Sequence, residues 1–440
     1  MKKITLLLLV VCFTASFCAA QFSASGDVNG APYDEHGLPN SGLENIYIYK
    51  DASRAVLHFA DSNPLNWTWY RYEQNPANSV AVSTSDVHTN TTETVLENVQ
   101  AGYGYYVQSS DGTVRHYCFV VAYLPVSISD ITFTTEGDVC NNLTLKVTSS
   151  VDNMPYYTTS GRLLSLIRTF NLTWKSLEWN STEKKYIQKT MNSTSTNLNL
   201  NWSVSAPLCD TYFTLSGDQF ATYFGSSISF TSALYTAVAV KANALAVPQI
   251  RDGANELDKT TAGEYPDGSA PSGPAPLNID FYSNPSEAVK WVTWYVYDSE
   301  IASGTPKRYT DENLNQPFLE SGKSLVKLFV YNLNSTCSDS ASFTPTVSES
   351  KLDCPNFFTP RSTPGENDEF RVAYRSIIKF KGTIINRWGN VLFEWSDPSK
   401  GWNGTYKGMA VSPGVYFYLI DAKGSDGIVY KKKGDINLLE

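Results

Sequence analysis

Apolar and polar positions alternate residue by residue along short runs such as Leu143-Thr144-Leu145-Lys146-Val147 and Leu277-Asn278-Ile279-Asp280-Phe281. That is the period of a strand with one buried face. Turn signals such as Ser109-Ser110-Asp111-Gly112 and Ser425-Asp426-Gly427 punctuate the runs, and helical periodicity is scarce. The pattern predicts an all-β chain. Within it a Thr-Trp pair recurs on aromatic strands: Trp67-Thr68-Trp69-Tyr70, Leu172-Thr173-Trp174-Lys175 and Val292-Thr293-Trp294-Tyr295. Each pair has a candidate strand before it, beginning at Ala55, Leu143 and Leu277, and another after it, beginning at Tyr105, Tyr212 and Val326. The same order repeated reads as tandem β-sandwiches, in which a large central-strand side chain fills the gap between two sheets. Trp69, Trp174 and Trp294 are the expected core plugs. Trp67 and Trp291, on the alternate face, are the better candidates for exposure.

The N-terminus reads differently. Lys2 and Lys3, an apolar run from Ile4 to Val11 and small residues up to Ala20 have the layout of a secretory signal peptide. No stretch reaches the ~18–20 apolar residues of a spanning helix. The expected organisation is a signal peptide over 1–20, Ig-like β-sandwiches over 21–126 and 127–250, a third sandwich over 251–353 and a terminal domain over 354–440. The polar, Gly/Pro/Ser-rich stretch 252–276 reads as a linker and the entry to the third sandwich.

Charge and cysteines narrow the partners. The formal charge of −9 becomes −11 once Lys2 and Lys3 are removed, a surface that repels phosphate backbones and argues against a nucleic-acid partner. Export favours disulfides. Cys140 and Cys209 flank strands of the second sandwich and are expected to pair. Cys337 and Cys354 are expected to tie the third sandwich to the last domain, leaving Cys118 a buried thiol. Neither Cys nor His has metal-site spacing, and no cofactor is expected. Asp130, Asp138, Asp252 and Asp258, near the borders, read as solvated loop acids before calcium ligands.

Two resemblances follow from longer motifs. The third sandwich, with its Trp294 strand and Leu328-Phe329-Val330-Tyr331-Asn332, resembles PKD-like immunoglobulin-type domains of bacterial surface proteins; Tyr297-Asp298-Ser299-Glu300 replaces their usual Gly-Asp-Gly turn. The C-terminal blocks run Phe358-Thr359-Pro360, Asn367-Asp368, Asn386-Arg387-Trp388-Gly389, Trp402-Asn403-Gly404, Gly414-Val415-Tyr416 and Lys433-Gly434. In that order they resemble the gliding-motility-associated C-terminal domain, the type B sorting domain of type IX secretion. The first loop departs from that family, with Arg361-Ser362-Thr363-Pro364-Gly365-Glu366 after Thr-Pro. The resemblance implies a small β-sandwich, passage across the outer membrane by the type IX machinery with an outer-membrane accessory partner, and a place on the cell surface or outside it. Val415, Phe417 and Leu419 alternate with Tyr416, Tyr418 and Ile420, as in a strand covered on both faces.

The function that fits is a non-enzymatic surface protein whose sandwiches act as adhesin-like binding or structural modules for an extracellular glycan or protein ligand. A carbohydrate-binding protein is the alternative, with Tyr103, Tyr105, Tyr156, Tyr157 and Trp202 as contributors. An exported hydrolase is the competing class, and neither a GxSxG elbow nor an HExxH motif occurs.

Overall fold

The computed structural model describes residues 21–439 apart from 37, 135, 136, 199, 200, 363, 364 and 366. The signal segment expected over 1–20 lies outside the described residues. Strands follow one another through the described residues, and the α-helix among them is the five-residue Gln219–Tyr223. Among the described residues no helix is long and apolar enough to cross a membrane.

In the first unit Gln21–Ser25, Val56–Ala60, Glu93–Leu96 and Val87–Thr89 form one sheet. Tyr33–His36, Asn45–Tyr49, Arg115–Ala122, Tyr103–Ser109, Trp67–Tyr72 and Val80–Ala81 form the other. Phe22, Leu57, Phe59, Trp69, Val107 and Cys118 close the space between them. The Trp69 indole N–H donates to Thr94 Oγ1 at 3.0 Å, so the ring is buried without stranding its polar atom.

The strands around Ile48 and Phe119 are apolar on both faces, and both faces are covered. Ile46, Ile48, Tyr72, Phe119 and Val121 turn away from the first core and pack on Met154, Tyr156, Leu166, Phe220 and Phe224 of the second unit. These come from a hairpin, Pro155–Tyr157 with Leu163–Ser165, and from the helix. Asp218 caps that helix through the Ala221 N–H at 2.8 Å and accepts from Arg168 Nη1 at 2.6 Å. Arg168 also donates to the Leu124 and Asp152 carbonyls, which satisfies a pair almost wholly removed from water.

The second unit sets Ser127–Thr134, Asn142–Ser150 and Trp202–Ser205 against Lys185–Ser195, Phe170–Asn180, Thr214–Gly217 and Ser229–Thr231. Trp174 stacks on Phe213 between them, with centroids 5.6 Å apart. In the third, Tyr265–Pro266, Leu245–Pro248, Leu277–Tyr282 and Asn313–Phe318 face Lys307–Tyr309, Trp291–Tyr297, Leu325–Tyr331 and Ser338–Phe343. Trp294 is fully buried there, beside Phe281.

The third unit begins before the expected border at 250, and the stretch 252–276, expected as a linker and the entry to that unit, is part of the unit and not a free linker. Leu245–Pro248 pairs with both Leu277–Tyr282 and Tyr265–Pro266, so those segments belong to the third unit's sheet. Ser272–Gly273 pairs with Thr346–Val347. The stretch is polar because only Tyr265–Pro266 and Ser272–Gly273 of it lie in strands, both at sheet edges, and few of its side chains need burial. Its first part reaches the last unit: the Leu257 N–H donates to the Tyr374 carbonyl at 2.8 Å, and Arg375 Nη1 to Asp258 at 3.0 Å.

The cysteine pairing also differs. Cys140 is bridged to Cys337, with Cα atoms 5.4 Å apart, across the junction of the second and third units. Cys209 is a buried free thiol beside Gln188, and Cys354 a half-buried one beside Tyr418. Burial raises the Cys354 pKa, and the Tyr418 hydrogen bond works against it. The Cys140 turn and the start of Ser338–Phe343 meet only because the two units pack against each other, a proximity that chain order conceals.

The last unit is one five-stranded sheet, ordered Phe357–Phe358, Val429–Leu438, Gly414–Gly424, Ile377–Ile385 and Val391–Trp395. One face is roofed by Leu352, Phe370, Tyr374 and Trp402 from two short strand pairs and their loops. The expected double covering of Gly414–Gly424 is not found. Tyr416, Tyr418 and Ile420 turn to the core, whereas Val415, Phe417 and Leu419 are 38–47% exposed.

Candidate functional site

Most residues of the C-terminal blocks build the unit. Phe358 and Trp402 are buried with centroids 5.5 Å apart, and the Trp402 indole N–H donates to the Thr405 carbonyl at 2.8 Å. The Thr359 N–H donates to the Asn367 carbonyl, and Asp368 accepts from the Gly365 N–H, closing the loop around Pro360. Gly404 adopts a φ of +74°, and a Cβ there would meet Leu438 and Pro360, so the position needs glycine twice over. The Tyr416 hydroxyl donates to the Ser412 carbonyl across the turn that carries Gly414. Gly434 passes under the Tyr418 ring.

The hairpin tip is different. Asn386 Oδ1 accepts from the Trp388 and Asn390 N–H groups, and Gly389, at φ +84°, completes the turn. That turn projects Trp388, 77% exposed, with Arg387 over its ring at 5.5 Å. Lys433 is exposed as well. Asn367, Arg387, Trp388 and Lys433 are motif residues with exposed side chains.

A second surface lies on the third unit. On the sheet face opposite Trp294, register places Trp291 beside Tyr331 and Tyr295 beside Lys327, with Phe329 on the next position. Tyr295 and Phe329 have centroids 5.9 Å apart, and Phe329 and Tyr331 lie 6.5 Å apart at 17°. Ser338, Ser340 and Ser342 of the adjacent strand and Arg308 on the other side flank this aromatic row. Trp291 is 54% exposed, its indole N–H held by the Leu333 carbonyl at 3.2 Å. The row is readable once alternation assigns Trp291 outward, since Tyr295 and, on the paired strand, Phe329 and Tyr331 share its parity.

The aromatics expected to contact sugar do not form such a row. Tyr105, Tyr156 and Trp202 are buried, and Tyr103 and Tyr157 half-buried, because the faces that carry them are core or inter-unit contact. Trp67 is half-buried, its N–H donating to Asp61 at 2.5 Å.

The border acids are dispersed. Asp130 accepts from the Ile131 N–H, Asp138 from Asn141, Asp252 from Lys259 and Asp258 from Arg375. Among the described residues no group of three or more His, Cys, Asp or Glu is placed to hold a metal. One polar row has the connectivity of a nucleophile, base and acid: Ser25 Oγ lies 2.8 Å from His58 Nε2, and His58 Nδ1 3.1 Å from Glu93 Oε2. It runs across the outer face of a sheet. The adjacent Gly26 N–H is already donated to the Gly30 carbonyl, so it does not serve an oxyanion.

Residues 352–438 match the family model of the CHU_C type IX secretion signal domain, and residues 132–232 that of the fibronectin type III domain. No curated protein matches the chain. Among solved structures it is similar to the N-terminal four Ig domains of Dscam1 isoform 9.44 at 10% identity, over 74% of this chain and 72% of that one, with a TM-score of 0.19. It is also similar to Sidekick-1 immunoglobulin domains 1–5, at 9% identity over 95% and 80% with a TM-score of 0.23. Dimeric latent PorU from Porphyromonas gingivalis matches at 11% identity over 71% of this chain and 34% of that one, with a TM-score of 0.15.

Proposed function

We propose, from the type IX secretion signal domain at residues 352–438 and the fibronectin type III domain at 132–232, that this chain is an adhesin-type protein of a bacterial surface that binds a glycan through its third unit. The signal peptide read at 1–20 takes it through the inner membrane, and the C-terminal unit engages the type IX machinery and an outer-membrane accessory partner. The upstream sandwiches then stand outside the cell as spacer and binding modules.

The observation that carries the binding reading is the outward row Trp291, Tyr331, Phe329 and Tyr295. Trp291 is exposed and Tyr331, Phe329 and Tyr295 are half-buried, and a contiguous aromatic patch on a sheet face, unlike a single exposed ring, marks a contact surface. A pyranose ring offers an apolar C–H face to an aromatic plane and hydroxyls to its rim, where the three serines, Lys327 and Arg308 supply hydrogen-bonding groups. A rigid sheet holds the rings without an ordering cost on binding.

The test is affinity electrophoresis and pull-down of residues 21–440 on a panel of polysaccharides. Trp291→Ala with Tyr331→Ala is expected to weaken retention about tenfold or more, with unchanged thermal unfolding. No retention on any polysaccharide by the parent protein sinks the glycan reading. The Ser25, His58 and Glu93 row favours a hydrolase as second reading, and a fluorophosphonate probe tests it: labelling of the parent that Ser25→Ala abolishes would establish a nucleophile there.

A further inference from the structure

The uncovered face of the C-terminal sheet is not uniform. Strand pairing sets Val415 beside Asn437, which is itself paired with Phe357; Phe417 lies between Ile385 and Asp435, and Leu419 between Thr383 and Lys433. Val391 continues the row beyond Ile385. This end is apolar, and Phe357, Val391, Val415, Phe417 and Leu419 are each more than a third exposed. Toward the other end the same face carries Lys379, Lys381, Lys423, Lys431 and Lys433, with Asp421 among them and Lys381 3.5 Å from Glu394.

Charge separates this unit from the rest of the chain. Residues 354–440 hold twelve Lys and Arg against nine Asp and Glu, a formal +3, while residues 1–353 hold 22 against 34, a formal −12. A basic unit at the end of an acidic protein, with its lysines gathered beside an apolar patch, is complementary to a surface that sets carboxylates beside apolar side chains. Folding does not need the patch, since the core side of the same strands is filled by Tyr416, Tyr418, Ile420, Ile436 and Leu438.

We infer that this face, centred on Phe417 and Leu419 and bordered by Lys423, Lys431 and Lys433, is the surface by which the unit docks on an acidic protein of the export apparatus. The inference rests on the sorting reading and assigns its contact surface. Charge reversal at the lysines slows encounter and loosens the complex, and a carboxylate at Phe417 or Leu419 sets like charge against the partner and adds desolvation cost.

The experiment uses the full chain in its own bacterium, with surface delivery read by protease accessibility on intact cells and by fractionation. Two face variants, Phe417→Glu/Leu419→Glu and Lys423→Glu/Lys431→Glu, stand beside a control, Tyr406→Glu/Met409→Glu, exposed positions on a separate hairpin. A fourth chain lacks 352–438. Both face variants are expected to lose about tenfold or more of surface delivery while the control keeps it. Near-ultraviolet circular dichroism of the purified variants checks folding, and the lysine pair, being wholly on the surface, answers for the docking face if the apolar pair misfolds.

Normal delivery of the lysine variant and of a folded apolar variant, with the truncated chain retained, overturns the face and leaves the sorting reading standing. Delivery of the truncated chain overturns the sorting reading itself. Equal loss in the control removes the assignment to this face. A salt-sensitive dimer of the purified parent, lost in the face variants, would assign the face to a second copy of the chain and overturn the export partner.

Discussion

Gly382 shows how a single atom matters in the last unit. It faces the core between Phe380 and Ile384 and pairs with Trp395 on the neighbouring strand, whose indole lies across the bare backbone; a Cβ would come 2.5 Å from the ring. The indole packs against Phe380, Phe370 and Phe393, which resist its displacement. Gly382→Ala is therefore expected to cost about 1–3 kcal/mol, read as a lower urea midpoint at unchanged slope. A midpoint equal to the parent's would mean that the ring has room to shift. The residue scale also separates the two kinds of C-terminal motif residue. Trp402 and Gly404 are legible in the sequence as landmarks, yet they serve packing and a turn; Phe417 and Leu419, part of a run that reads as core, face water.

Elements meet across unit borders in ways their order does not show. The Cys140–Cys337 bridge closes a sequence separation of 197 residues between the turn before Asn142–Ser150 and the start of Ser338–Phe343. On the chain-entropy account a loop that long stabilises by about 5 kcal/mol, less whatever the unfolded chain retains. Two measurements check it. Thiol titration of denatured, unreduced protein from residue 21 onward is expected to find Cys118, Cys209 and Cys354 free, whereas the pairing inferred from the sequence would leave Cys118 alone. Cys140→Ser/Cys337→Ser is expected to lower the unfolding midpoint of the second and third units. Two cysteines flanking strands of one sandwich suggest an internal staple, and nothing in their spacing reveals that another unit brings a closer partner.

At the scale of the molecule the units are joined by polar contacts as well as by apolar ones. Asp426 of the last unit accepts from the Ser350 N–H at 2.9 Å and from its hydroxyl at 2.7 Å, and from the Ile428 N–H at 3.1 Å. Burial pushes its pKa up, but the hydrogen bonds from Ser350 and Ile428 outweigh that and hold it below its ordinary 3.8. With the folded value depressed, the folded state binds fewer protons than the unfolded chain near that pH. The stabilisation is therefore complete above the ordinary value and is lost as pH falls through the folded one. Asp426→Asn is expected to flatten that part of the acid limb, measured as the unfolding midpoint between about pH 5 and pH 2; an acid limb identical to the parent's would remove the carboxylate from the joint. The sequence by itself determined the all-β class, the recurrence of a buried Trp on a central strand and the C-terminal landmarks, because alternation and turn chemistry act within a few residues of one another. Tertiary structure alone decided the Cys140–Cys337 pairing, the membership of Leu245–Pro248 in the third unit and which apolar faces stay uncovered. These depend on what a neighbouring unit brings against a surface, and alternation says only that a side chain points away from one core, never what stands on the other side.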